Sequence, residues 1–168
     1  MQDTLATMLD YSRWADERLI AAASELTDDQ YTRHLGGGFG SMQAVIAHLA
    51  AAGNAWRIRF EGGRVTTLLT EAQLPTVDAA RRELMAAYDV ITQEAARSAD
   101  DLDAMFEYRN IFGVDVRIPR WVVLRQFTNH ATYHRGQLSA MLRMLDKTPP
   151  ATDFTVWVIE QQARSTGD

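Results

Sequence analysis

Three of the four histidines in the sequence could share one metal ion. His130 and His134 lie four residues apart in a segment with helical periodicity, so they project from one helix face with Cβ atoms roughly 6 Å apart. The apolar residues Phe127, Leu138 and Met141 place both histidines on or beside the buried stripe of that helix. Because burying an imidazole without a partner is costly, a hydrogen bond or a metal ion must satisfy these nitrogens.

A third histidine, His48, has similar surroundings on a second predicted helix, where Ala44, Val45 and Ala52 share its face. Three imidazoles that leave one position open form a known catalytic zinc site, and imidazole also suits nickel, copper and iron. The alternative is that hydrogen bonds satisfy three core histidines, or that His130 and His134 lie at the surface. The residues alone favour neither interpretation over the other.

Several other catalytic motifs are missing from the sequence. The chain contains no cysteine, so any metal must be held by His, Asp or Glu. Ala131 and Thr132 fill the positions where His-Glu-x-x-His zinc peptidases carry their glutamate base, which argues against a peptidase. No Gly-x-Ser-x-Gly elbow is present, and the glycine-rich run Gly36–Gly40 lacks the Lys-Ser/Thr of a P-loop. We expect His34, just before this run, to be exposed rather than a ligand.

The charge balance argues against a nucleic-acid partner. The 17 Lys and Arg residues are outnumbered by 22 Asp and Glu residues, and the net charge of -5 disfavours tight binding to a phosphate backbone. Arg57, Arg59 and Arg64 nearly form a basic cluster, but Glu61 lies among them, so we expect a solvated surface there. The sequence has neither a signal-peptide pattern at its start nor an apolar run of roughly 20 residues. We therefore expect a cytoplasmic protein with no membrane partner.

Four long amphipathic segments can position the three histidines. Apolar residues at spacings of three and four predict helices over residues 3–24, 41–60, 76–98 and 119–146. Ser41 is expected to cap the second helix, and either Thr76 or Asp78 the third. Pro119 suits the first turn of the fourth helix. The run Gly36–Gly40 is interpreted as a flexible connector.

Shorter elements fill the rest of the chain. Alternating apolar residues between positions 105 and 118, with Asn110–Gly113 as a turn, predict a short β-hairpin before the last long helix. The apolar segment 153–159 is expected to dock on the body of the protein as a short helix or strand. We predict an all-α four-helix bundle in which residues 1–168 form a single domain. The two long middle connectors leave room for crossovers, but the pattern does not determine the order of the helices.

Four segments spread over nearly the whole chain carry a family signature. Residues 11–16 are similar to an aromatic, Trp-Ala-Asn type opening, although Asp16 stands where Asn is common, and residues 41–49 are similar to a first-histidine helix. Residues 129–138 contain the most specific motif, His-x-x-x-His-Arg-Gly-Gln, and residues 149–154 are similar to the family's ending. On these residues the chain resembles the DinB/YfiT-like family of metal-binding four-helix proteins.

This resemblance implies an up-down-down-up bundle and a divalent metal ion bound by His48, His130 and His134. Zinc or nickel is the expected metal, with manganese or iron as alternatives. Members of the family are often homodimers. The aromatic residues Trp56 and Trp157 could serve such an interface, although core packing explains an aromatic side chain at least as often.

Relatives with assigned reactions imply a transferase or isomerase that uses a low-molecular-weight thiol such as mycothiol or bacillithiol. A metal ion with an open position can lower the pKa of a bound thiol, and a chain without cysteine must receive that thiol with the cosubstrate. Hydrolysis of an ester or amide by a metal-activated water is an alternative of the same class. The non-enzymatic alternative is a metal clasp or sensor that joins two helices in a stress-response or partner-binding protein.

Asn129, Tyr133 and Gln137 lie close to the histidine pair along the predicted fourth helix. Their proximity makes them candidates for contacts around the metal ligands. Packing or helix surface accounts for each of them more readily, and the sequence identifies no catalytic group.

Overall fold

Residues 2–36 and 38–166 are described by the computed structural model, and most of them are helical. The elements in chain order are α1 (Gln2–Ser24), α2 (Asp28–Thr32), α3 (Met42–Phe60), α4 (Val77–Ala95), α5 (Ala99–Asp103), β1 (Met105–Arg109), β2 (Asp115–Pro119), α6 (Arg120–Met144) and α7 (Phe154–Ser165). The four long helices, α1, α3, α4 and α6, are those that the apolar periodicity predicts. The all-α fold with a β-hairpin before the last long helix is therefore confirmed.

Side-chain caps fix where two of the long helices begin. The Ser41 hydroxyl accepts a hydrogen bond from the Ala44 amide at the start of α3. The Thr76 hydroxyl accepts one from the Ala79 amide at the start of α4, so Thr76 rather than Asp78 is the cap. These bonds satisfy amide groups that have no partner within their own helix.

Helices α3 and α4 are parallel, because their contacts advance in the same direction along both helices. Near the start of α3, Gln43 donates a hydrogen bond to the carbonyl of Pro75, at 3.1 Å. Two to three turns later, Asn54 donates to the carboxylate of Glu83, at 2.9 Å. Because the two helices are parallel, the chain must return along the length of the bundle from the end of α3 to the start of α4. The long connector over residues 61–76 makes this return.

Helix α4 is antiparallel to α1. Arg13 pairs with Asp89 at 2.7 Å, whereas Glu17, one turn further along α1, pairs with Arg81 at 3.5 Å, two turns earlier along α4. These ion pairs are exposed and contribute little to stability. Their order along the chain nevertheless defines the relative direction of the two helices.

Helix α6 is antiparallel to α3. His48, in the first half of α3, contacts His130 near the middle of α6. Phe60, the last residue of α3, lies beside the guanidinium of Arg120, the first residue of α6, at 5.7 Å. Together with the other two pairings, this gives the up-down-down-up order that the family resemblance implies.

The four long helices enclose one apolar core. All four contribute fully buried large side chains to it, and α5 adds Leu102: Leu9, Leu19, Ile20, Met42, Ile46, Leu84, Tyr88, Ile91, Leu124, Leu138 and Leu142 come from the long helices. Gly53 lets α3 approach α4 closely, since a Cβ atom there would lie 3.0 Å from the Cβ atom of Ala87. Among the described residues, no helix combines the length and apolar character needed to cross a bilayer.

The predicted hairpin is formed by β1 and β2, which pair antiparallel with Phe106 opposite Ile118. Its turn is closed by Asn110, whose side-chain oxygen accepts hydrogen bonds from the amides of Phe112 and Val114. Asparagine side chains commonly close turns in this way. The hairpin thus has its own local determinants in the sequence.

The segment after α6 forms a helix, α7, rather than a strand, and packs on α1. Trp157 lies 5.6 Å from Phe154 and 6.2 Å from Tyr11, measured between ring centroids. Trp56 lies 5.1 Å from Tyr108 of the hairpin. Both tryptophans that could serve a dimer interface are therefore packed within their own chain, and homodimerisation stays a prediction.

The contact at Gly53 provides a test of the packing between α3 and α4. We expect Gly53→Val to lower the free energy of unfolding by about 1–3 kcal/mol, because the added atoms meet Ala87 and Leu84. The control is Gly136→Ala on α6, where no atom lies within 4 Å of the added Cβ atom. This change should stabilise by about 0.5–1 kcal/mol through helix propensity. Urea unfolding followed by circular dichroism measures both, and equal stabilisation by the two would contradict the packing described.

Candidate metal centre

The antiparallel packing of α3 on α6 brings His48 into contact with His130 and His134. The Nε2 atom of His130 lies 3.1 Å from the Nε2 atom of His48 and 3.1 Å from that of His134. The ligand nitrogens of all three lie within 4.8 Å of one another, and the cluster contains no carboxylate from the described residues. The structure thus brings together the three residues that the sequence predicts as ligands.

The spacing of the nitrogens fits a single divalent ion. Zinc–nitrogen bonds to histidine are about 2.0–2.1 Å long, so two ligand nitrogens 3.1 Å apart subtend roughly 95–100° at a shared ion. This angle lies between that of an octahedral face and that of a tetrahedron. Two of the three nitrogen pairs, His48 with His130 and His134 with His130, thus have the separation of ligands that share one ion.

Hydrogen bonding alone does not satisfy the three nitrogens. Nε2 of His130 faces two other ring nitrogens, and it carries either one proton or one lone pair. One proton can point at only one neighbour, and one lone pair can accept well from only one, so one of the two 3.1 Å contacts lacks a well-aligned hydrogen bond. A shared cation is attracted by all three lone pairs at once.

Gln137 fixes the orientation of one imidazole. Its side-chain oxygen lies 2.7 Å from Nδ1 of His134, one turn earlier on α6. With this oxygen as acceptor, Nδ1 carries the proton, and the lone pair of Nε2 points into the cluster. A hydrogen bond to the outer nitrogen of a histidine is how proteins commonly orient a metal-binding ring.

All three histidines have lowered pKa values, so they are neutral at pH 7. Burial, together with the neighbouring His134 and His130, lowers the pKa of His48 to about 4. Burial and the proximity of His134 lower the pKa of His130. Burial also lowers the pKa of His134, although Gln137 and Asp16 oppose the effect. Neutral imidazoles keep the lone pairs that a metal ion requires.

Phe39 covers part of the cluster, and the sequence interpretation missed it. Its ring lies 4.4 Å from that of His48 and 5.4 Å from that of His134, and the residue is 38% exposed. The chain turns just after it at Gly40, where φ is 82° and a Cβ atom would lie 2.7 Å from the His34 ring. His34 is itself exposed and lies outside the cluster, as expected. A glycine-rich connector carries no periodicity that could predict such a contact.

The three candidate neighbours on α6 differ in their contacts. Gln137 bonds to His134, as described above. The Tyr133 ring packs edge-on against that of His134 at 5.0 Å, but 66% of the residue is exposed. Asn129 lies on a different face of α6, where it lines a groove with Thr128 and Thr132. Proximity in sequence therefore identified one direct hydrogen-bond partner.

A buried polar network anchors α6 beside the cluster. Arg135, the residue after His134, donates a hydrogen bond to Asp16 of α1 at 2.9 Å, and these side chains are 4% and 1% exposed. Arg135 also donates to Ser12, and Tyr88 of α4 donates to Asp16 at 2.6 Å. The network joins three helices at the level of the histidines.

Opposing effects set the charges in this network. Burial raises the pKa of Asp16, while Arg135 and Tyr88, which contact it, act in the opposite direction. Burial also disfavours the charge on Arg135, but Asp16, Tyr88 and Tyr11 together outweigh this effect, so the pKa of Arg135 is raised. The sequence offered a signal for this network, since Ser12 and Asp16 lie on the apolar stripe of α1 and need polar partners.

Comparisons with known proteins identify the family of this chain. The chain belongs to the DinB family, whose family model matches residues 1–164. A curated relative, Protein DinB from Bacillus subtilis (strain 168), is 22% identical over 164 residues, which cover 94% of this chain and 95% of that protein. The family resemblance stated from the sequence is confirmed.

A solved structure shares the fold. The crystal structure of a DinB-like protein from Bacillus cereus ATCC 10987 at 2.01 Å resolution matches this chain with a TM-score of 0.58 at 19% identity. The match covers 86% of this chain and 94% of that one. At this level of identity the comparison supports the helical fold, and metal binding stays a prediction.

The buried ion pair yields a stability prediction. Arg135→Met should lower the free energy of unfolding by about 3–5 kcal/mol, because it leaves the Asp16 carboxylate buried without its cation. The double variant Asp16→Leu with Arg135→Met removes both charges and should recover most of the loss. Urea unfolding of the single and double variants measures the difference. Equal destabilisation of the two would argue against an unpaired buried charge as the cause.

Proposed function

We propose that His48, His130 and His134 bind one divalent metal ion, with Gln137 holding His134 in the required orientation. The observation that carries this proposal is the convergence of three neutral imidazole nitrogens, with Nε2–Nε2 distances of 3.1 Å around His130. Zinc or nickel suits an all-imidazole set best, and iron or manganese is the alternative.

We expect the metal content of the protein to depend on the three clustered histidines and not on the total number of histidines in the chain. Wild-type protein equilibrated with zinc and desalted should retain close to one ion per chain, and His130→Ala should retain almost none. The matched control is His34→Ala, which removes an exposed histidine outside the cluster. Elemental analysis measures the stoichiometry. Equal metal content in His130→Ala and wild type would exclude this site.

A second variant tests the orienting role of Gln137. Gln137→Ala keeps the three ligands but removes the hydrogen bond to His134 Nδ1, so zinc affinity should fall about 10–100-fold. The control is Gln93→Ala, an exposed position on α4. Competition with a chromophoric chelator gives both affinities. An unchanged affinity in Gln137→Ala would show that the hydrogen bond does not matter to the site.

We further propose that the centre serves thiol-dependent group transfer. A divalent ion held by three imidazoles supplies a Lewis acid with free positions, which lowers the pKa of a thiol bound there. The cluster offers no fourth protein ligand from the described residues, which favours an open site over a closed structural clasp. Because the chain has no cysteine, the thiol arrives as a small molecule.

The residues around the cluster suit a reaction between a thiol and an electrophilic carbon. Phe39 and the exposed Tyr133 border the histidines with aromatic surface, which can pack against an apolar substrate. In the proposed transfer the sulfur–carbon bond forms as the bond from that carbon to its leaving group breaks. The proton lost by the thiol departs with the leaving group, so the balance needs no further reactant.

Thiol binding distinguishes this reaction from its alternatives. Bacillithiol or mycothiol added to cobalt-loaded protein should produce a saturable near-ultraviolet absorption from a thiolate bound to the ion. Metal-stripped protein and His130→Ala should lack it. An unchanged spectrum in cobalt-loaded wild type would refute thiol transfer and leave metal-dependent hydrolysis or a metal-clasped interaction protein, while the metal stoichiometry would stand on its own.

We also propose that residues 1–168 form one domain, because α1, α3, α4 and α6 share an apolar core. We propose, second, that two copies of the chain associate. The exposed side chains of Met144 and Ile159 offer apolar surface for the second.

A further inference from the structure

A polar cleft lies at the far end of α3, between that helix and the hairpin. It has a volume of about 290 Å³ and is bordered by three arginines, Arg59, Arg64 and Arg109, together with Gly62, Gly63 and Tyr108. Arg59 lies about three helical turns, or roughly 16 Å along α3, from His48. The cleft is therefore separate from the histidine cluster.

The guanidinium of Arg59 is held in place without a carboxylate. It lies 4.8 Å from the ring centroid of Trp56 and 4.9 Å from that of Tyr108. Its Nε atom is buried and has no hydrogen-bond partner among the described residues. Neighbouring Arg57 also has a buried Nε atom without a partner, but its terminal nitrogens pair with Glu61 and Glu83. The basic cluster noted in the sequence is thus divided, with Arg57 neutralised and Arg59 available.

The remaining charges around the cleft are mainly positive. Arg64 is exposed, and Arg109 forms only a long, exposed pair with Asp115 at 3.4 Å. The one acidic side chain that borders this cleft in the described part of the chain, Glu107, pairs with Arg117 at 3.0 Å. Among the described residues, three arginines and one glutamate therefore border the cleft.

We propose that this cleft binds a small phosphorylated molecule through its phosphate group. Guanidinium groups bind phosphate oxygens in bidentate fashion, and three of them match a tetrahedral dianion better than a planar carboxylate that one arginine saturates. The rings of Trp56 and Tyr108 already immobilise Arg59, so little side-chain entropy is lost on binding. Burial lowers the pKa of Arg59, with Tyr108 opposing the effect, in line with a cation that lacks a paired acid.

Titration with inorganic phosphate, at ionic strength held constant with sodium chloride, tests the proposal by ¹H–¹⁵N NMR. We expect saturable shifts centred on the amides of Gly62, Gly63, Arg64 and Arg109. Arg59→Met should raise the dissociation constant at least tenfold. The matched control Arg57→Met, two residues away on the same helix but paired with acids, should change it less than twofold.

Two further variants keep the test decisive. Arg64→Met alters an exposed side chain that folding does not require, and it should weaken phosphate binding about threefold or more. His130→Ala should bind phosphate as tightly as wild type, because the cleft is distant from the histidines. Absence of saturable shifts, unchanged affinity in both Arg59→Met and Arg64→Met, or loss of binding in His130→Ala would each overturn the proposal.

Discussion

Asp16 and Arg135 are both almost fully buried, and their ion pair determines how three helices meet. Removing two charges from water costs several kcal/mol each, so such a pair persists only where geometry and further hydrogen bonds compensate. Tyr88 and Ser12 provide those bonds, from α4 and α1. Any slip or rotation of α6 would separate the charges inside an apolar core. The pair therefore fixes the axial position and rotation of α6, the helix that carries two of the three clustered histidines.

The histidine cluster depends on that register. Neighbouring residues on a helix differ by about 100° in direction, so a shift of one residue would turn His130 and His134 away from His48. The position of His48 depends in turn on the position of α3. The Ser41 cap defines where this helix begins, and Gly53 allows it to pack closely against α4. The site thus depends on the contacts of α3 with both α4 and α6. None of its ligands lies on a loop, which favours a preorganised geometry.

Local patterns predicted the helices, the hairpin and the spacing of His130 and His134, because periodicity, caps and turn residues act over a few positions. The convergence of His48 with that pair was undecided on the residues alone, since it depends on how α3 faces α6; the family resemblance supplied that information. The contacts of Phe39 with His134 and of Arg59 with Tyr108 could not be predicted, because each joins a helix to a connector or hairpin distant in sequence. The partner of Asp16 was equally hidden, although its apolar surroundings required one.

His48 and His130 are separated by 82 positions in the chain, yet their ring nitrogens nearly touch. Bringing the ends of so long a loop together is entropically unfavourable, so the three histidines are apart in the unfolded chain. The complete ligand set therefore forms only when α6 packs against α3. Any ion shared by these nitrogens binds the folded chain in preference to the unfolded one. Occupancy and folding are then linked by mass action, and the stability of this protein would rise with the concentration of free metal around it.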